Sequence, residues 1–106
     1  MSACLSVRKG SIYIPSSDCE TYFRGLDAVI VVVRENELNV MPVQQMSAGG
    51  YILKIRNANG DRVVTAPDVF AEHQLMDWND DAVEAVWCSE RGALICALSW
   101  SQKTEQ

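Results

Sequence analysis

A single histidine, His73, stands among 106 residues, and that shortage restricts the chemistry open to the chain. A nucleophile activated by an imidazole would have to use His73, beside Glu72 in a segment that reads as a short helix. A lone histidine there reads as a surface or packing residue, and the chain is expected not to be an enzyme. Cysteines are few and spread: Cys4, Cys19, Cys88 and Cys96 include no close pair that would present two thiolates to one metal ion. They read as small apolar groups of a reduced core. Cys88 and Cys96 flank "SERGALI", a tight turn, so they fall on facing strands; a one-residue difference in register decides whether they share a face. No apolar run approaches the roughly 20 residues of a membrane span. "MSACLSVRKG" lacks a basic stretch followed by an apolar one, so no membrane association and a cytoplasmic location are expected. The acidic stretch "DWNDDAVE" lacks the turn glycine and the closing glutamate of a calcium loop, and reads as a solvated loop. Neither metal nor cofactor is expected.

Positive charge is also in short supply. Nine Lys and Arg face fourteen Asp and Glu, for a formal net charge of −5. The deficit is uneven: residues 1–53 hold four basic and five acidic groups, and residues 54–106 hold five and nine. An acidic domain forfeits most of the counterion-release free energy that a duplex offers, so nucleic acid is disfavoured as a partner unless a local basic patch survives.

What is present is β-forming sequence. With 48% hydrophobic and 22% charged residues the chain has globular composition, and its length suits one domain over 1–106. "AVIVVV" (28–33) is too β-branched and too short for a helix, and is expected as a strand buried on both faces. After "RENE", "LNVMPV" returns with Leu38, Val40 and Pro42 on one side. "QQMSAGG" connects to "YILKIRN", where Tyr51, Leu53 and Ile55 alternate with Ile52 and Lys54. Asn59-Gly60 predicts a primed two-residue turn leading to "RVVTAP". "DAVEAVWCSE" and "GALICALSW" make a third hairpin around Arg91-Gly92. Two short helices interrupt the strands. One follows Ser16 or Ser17 as N-cap, with Glu20 completing a capping box after Ser17; the other follows Asp68. The expected fold is mainly β: a small single-domain barrel of six to seven strands in three hairpins with two short helices. Residues 101–106 read as a flexible polar tail.

The two halves overlay. Each runs strand, proline, short helix, acidic turn, "AV" strand, charged turn, strand, with Pro15 matching Pro67 and Ala28-Val29 matching Ala82-Val83. This predicts a pseudo-twofold tandem repeat over about 7–43 and 51–98. "KGSIYIP" before a helix, then "GLDAV" and an alternating hairpin, resembles the AbrB/MazE/MraZ group of swapped-hairpin proteins, and "NGDRVVTAP" is similar to the same opening. The resemblance implies that the two halves form, within one chain, the barrel that shorter members build by dimerisation. It also implies a regulator that binds DNA through arginines near the helix and on the preceding strand. Here the pattern departs: Ser11 stands where an arginine is expected, the first helix carries Asp18 and Glu20 against Arg24, and the second carries Asp68, Glu72 and Asp77 with no Lys or Arg. The basic groups left for such a role are Arg8, Lys9, Lys54, Arg56 and Arg62, and their clustering or dispersal separates a DNA-binding regulator from the alternative.

That alternative, a non-enzymatic module binding another, more basic protein, is the expectation favoured by charge. All three tryptophans, Trp78, Trp87 and Trp100, lie in the second half. Trp78, in the polar loop "MDWNDD", is expected to be exposed or at a contact, flanked by Asp77, Asp80 and Asp81. A homo-oligomer is compatible with either reading.

Overall fold

The computed structural model describes residues 2–43 and 50–98. Its strands are β1 (Ser2–Arg8), β2 (Ser11–Ile14), β3 (Ala28–Arg34), β4 (Glu37–Val43), β5 (Tyr51–Ile52), β6 (Lys54–Ile55), β7 (Arg62–Thr65), β8 (Asp80–Cys88) and β9 (Ala93–Ala97); its helices are α1 (Ser16–Tyr22) and α2 (Pro67–Glu72). The nine strands join in one sheet of order β5-β3-β4-β9-β8-β1-β2-β7-β6. Because β5 and β6 are consecutive pieces of one strand broken at Leu53, the two ends of that order meet and the sheet curls into a nearly closed barrel. Leu53 bridges the junction: its N–H donates to Asp27 O at 2.7 Å, and its carbonyl accepts from Arg62 Nη1 at 2.8 Å.

The mainly β barrel, its two helices and the hairpins at 28–43, 54–65 and 80–97 match the expectation. There are nine strands rather than six or seven. Half of the excess is the break at Leu53. The rest is β1, whose alternation of buried Ala3, Leu5 and Val7 with outward Cys4, Ser6 and Arg8 is written in small residues and is easily passed over. The first repeat therefore begins at Ser2, not at residue 7. β1 turns into β2 through Lys9 (φ 51°) and Gly10 (φ 83°), and β3 into β4 through Glu35 (φ 55°) and Asn36 (φ 63°), both primed turns that suit the twist of a two-residue hairpin. The turn at Asn59-Gly60 is of another kind. Only Gly60 has positive φ (90°), and the Asn57 side chain organises the loop by accepting from the backbone N–H groups of Asn59 and Asp61.

The pairing realises the pseudo-twofold. β2 pairs with β7 through Ile12 and Val64, and β4 pairs with β9 through Asn39 and Ile95. Each of these pairs joins equivalent positions of the two halves, so the axis passes through both. The ladders β1·β8 and β3·β5 are then counterparts, with Leu5↔Val83 corresponding to Tyr51↔Val29. Among the described residues, the ladders within each half join only the two strands of a hairpin. All four ladders between different hairpins (β1·β8, β2·β7, β3·β5, β4·β9) connect one half to the other.

The core is filled by Leu5, Val7, Ile12, Ile14, Val29, Leu38, Val40, Val64 and Leu94, with Phe23 after α1 and Phe70 on α2. Neither helix is capped as expected. α1 has Pro15 at the N-cap without a side-chain bond, and the capping box of Ser17 and Glu20 is not formed; Ser16 N–H instead donates to Asp61 Oδ1 at 2.8 Å, a carboxylate delivered by the hairpin of the other half. α2 starts at Pro67 with Ala66 as N-cap, and Asp68 lies inside its first turn. "AVIVVV" is a strand as expected but is not covered on both faces: Val29 and Val31 are buried, whereas Ile30 and Val32 are half-buried on the outside. Cys88 and Cys96 fall on opposite faces, because Cys88 shares the outer side with Val86, whereas Cys96 is buried with Leu94.

Candidate interaction surface

Alternation along β1, β2, β7 and β6 directs Ser6, Arg8, Ser11, Tyr13, Thr65 and Lys54 to one outer side of the barrel, around the Ile12–Val64 pair. Arg8 and Lys54 occupy equivalent positions of the two halves. Arg56 joins this side, its guanidinium carbon 4.7 Å from the centre of the Tyr13 ring, a cation–π stack. Lys9 is exposed in the β1–β2 turn, and its N–H donates to Asn79 Oδ1 at 3.0 Å. Arg62 belongs elsewhere. It pairs with Ile14 on the inward register of the sheet and spends its guanidinium on the Leu53 carbonyl. Of the five basic residues, three share an outer side, one sits at its tip, and one is structural.

The acidic loop after α2 packs against that tip. Arg8 Nη2 lies 3.0 Å from Asp81 Oδ1, with both side chains exposed, and Ser6 Oγ donates to Asp81 O at 3.1 Å. Asp80 Oδ1 accepts from Ala82 N–H at 3.0 Å, and Asn79 Nδ2 donates to Asp77 O at 3.2 Å, so the loop is braced by its own polar groups. The candidate basic and acidic contacts are therefore neighbours, and Arg8 is partly neutralised where it would meet a phosphate.

Trp78 does not point out of this loop. It is 8% exposed and stacks on Phe70, ring centres 6.1 Å apart, because the loop turns back at Leu75, whose N–H donates to Phe70 O. The apolar group the loop does show is Met76. Trp87 is half-buried and stacks on Tyr22 at 5.3 Å; Trp100 lies outside the described residues.

Sequence reasoning missed a depression beside the loop. A cavity of about 560 Å³ opens between β1, β8 and the start of α1, lined by Ala3, Cys4, Pro15, Ser17, Asp18, Ala82 and Glu84. Asp18 Oδ2 accepts from Cys4 N–H at 3.4 Å. Asp18 and Glu84 are 66 residues apart in sequence, so only the β1·β8 ladder brings them to one opening. Asp80 and Asp81 begin the strand that carries Glu84, and Asp81 is paired with Arg8.

His73 is exposed at the end of α2. Burial pushes the Cys19 thiol up to about 11 and the Cys96 thiol up to about 12, which leaves both protonated and inert at neutral pH. Tyr51 donates to Asp68 Oδ2 at 2.7 Å, a bond that raises the phenol to about 12 and lowers the carboxyl. Among the described residues no three His, Cys, Asp or Glu side chains converge to hold a metal ion, and no helix is long and apolar enough to cross a membrane. Compared with protein-family models, with curated proteins and with solved structures, the chain matches none of them.

Proposed function

We propose that this protein is a non-enzymatic binding module of the cytoplasm whose acidic side receives a basic surface of another protein, in the manner of an antitoxin-like, regulatory or assembly component. The observation that carries the reading is the meeting of Asp18 and Glu84, one from each half, at one open depression, with Asp80 and Asp81 at the start of the same strand β8 and Arg8 paired to Asp81. A carboxylate cluster with few counter-ions steers a basic partner and sets its orientation more than it supplies raw affinity. The interleaved ladders support the likeness to swapped-hairpin proteins of the AbrB/MazE/MraZ group, in which two such units complete one barrel.

The test is zero-length coupling of carboxylates to lysines in extract from the source cells, followed by mapping of the joined peptides. Crosslinks concentrated at Asp77–Glu84 to lysines of one protein, lost in the combined variant Asp77→Asn, Asp80→Asn and Asp81→Asn, are expected. Crosslinks that are scattered, or unmoved by that variant, would remove the reading.

A second reading rests on one specific observation: Arg8 and Lys54 are equivalent by the pseudo-twofold and share an outer side with Arg56. A DNA-binding regulator would place that side on phosphates. Anisotropy of a labelled random duplex at about 50 mM salt separates the two readings, since phosphate binding weakens steeply as salt is added. A flat titration is expected, and steep salt-dependent binding lost in Lys54→Glu would favour the regulator.

A further inference from the structure

The exterior of the barrel is divided. Opposite the polar side just described, the strands β3, β4, β9 and β8 present a second outer side centred on the Asn39–Ile95 pair. One row across it reads Val32–Asn39–Ile95–Val86, and the next begins with Ile30–Met41. Val86 is 50% exposed, and Val32, Ile30, Met41 and Ile95 are half-buried. Asn39, the polar member of the row, is covered: its amide donates to Val32 O and Glu37 O, and its Oδ1 accepts from Arg91 Nη1 at 3.3 Å. Arg91 is in turn paired with Glu37 at 2.9 Å, so the middle of this side carries no net charge. At one end of the face the row runs Arg34–Glu37–Ala97, and Glu84, paired with Cys4 of β1, lies two residues before Val86 on the same side of β8. Arg34 and Glu84 thus occupy opposite corners of the same edge.

We infer that this side is the interface of a symmetric homodimer, two copies meeting about a twofold axis parallel to β4 and β9. Large apolar areas on a water-facing sheet mark contact sites, and a twofold contact requires a patch complementary to itself. An axis in this direction exchanges the left and right of the face. It sets Val32 against Val86 of the second copy and Arg34 against Glu84, each contact occurring twice. The corner charges then attract, whereas an approach through the depression would set Asp18 and Glu84 against their own copies. The dimer goes beyond the partner-binding reading; Glu84 also lines the depression, so its reversal bears on both, whereas Val86→Lys and Arg34→Glu bear on the dimer alone.

Sedimentation velocity of the full chain from about 1 µM to about 100 µM reads the equilibrium directly. A monomer–dimer transition is expected. Val86→Lys, at an exposed position that tolerates the change, is expected to weaken it at least about tenfold, a difference of about 1.4 kcal/mol. Arg34→Glu and Glu84→Arg are each expected to weaken it, and the combined variant to recover most of the loss. Circular dichroism melts of every variant confirm folding. A chain that sediments as a monomer throughout, or a dimer unmoved by Val86→Lys and by both charge reversals, overturns the inference.

Discussion

Arg62 and Arg8 look alike in sequence, each a base at the end of a strand, and the structure gives them different work. Arg62 satisfies the carbonyl of Leu53 where the barrel closes, so Arg62→Ala is expected to cost about 1.5–3 kcal/mol in urea unfolding, the range for a hydrogen bond to a charged donor. Arg8→Ala removes an exposed ion pair and is expected to change stability by less than about 0.5 kcal/mol. Thiols divide similarly. In the native state Cys4, which is exposed, is expected to react first with an aromatic disulfide reagent, and Cys19 and Cys96 only after unfolding, because burial holds them protonated. Asp61 offers a pH test. Its bonds from the Asn57 side chain and the Ser16 backbone N–H hold its pKa below the usual 3.8. A depressed carboxyl contributes stability that is present above the unfolded value and lost as pH falls through the folded one. Asp61→Asn should therefore melt at a lower temperature than the parent at pH 7 and at the same temperature near pH 2.

At the scale of elements, the hairpins at 28–43 and 80–97 were legible because their β-branched runs are punctuated by turn residues. The capping of α1 was not: Ser17 and Glu20 carry the local signature, yet the bond is made by Asp61 from 45 residues away, and local patterns hold no record of such a partner. Trp78 failed for a related reason. Its polar neighbours suggest exposure, but the turn at Leu75 returns it to Phe70. The acidic depression escaped notice because Asp18 and Glu84 become neighbours only through a ladder between halves. The Lys9-Gly10 turn shows how tightly the elements fit: a Cβ on Gly10 would lie 2.9 Å from Pro67 Cα, and its φ of 83° is strained for any other residue. Gly10→Ala is expected to destabilise by about 1–3 kcal/mol in the same urea assay, comparable with overpacking a core.

Across the whole molecule, the repeat was legible in outline and its consequence was not, because matching letters reveal that two units exist without revealing which strands they exchange. Every ladder between hairpins crosses from one half to the other. Residues 1–45 or 46–106 expressed alone should accordingly show little cooperative melting by circular dichroism, whereas the two fragments mixed should recover the parent spectrum and a single transition. A half that melts cooperatively by itself would contradict that dependence.

The same interleaving sets the order of events during synthesis. When β1 and β2 leave the ribosome, the strands that will flank them, β8 and β7, have not been made, so the β2 edge of the first hairpin stays bare until β7 (Arg62–Thr65) follows and the β1 edge until β8 (Asp80–Cys88) does. Contacts this distant in sequence slow folding, and an exposed strand edge invites the wrong neighbour. In a crowded polysome the nearest wrong neighbour is the same hairpin on the next nascent chain, and exchange of halves between chains is the error this architecture is most exposed to.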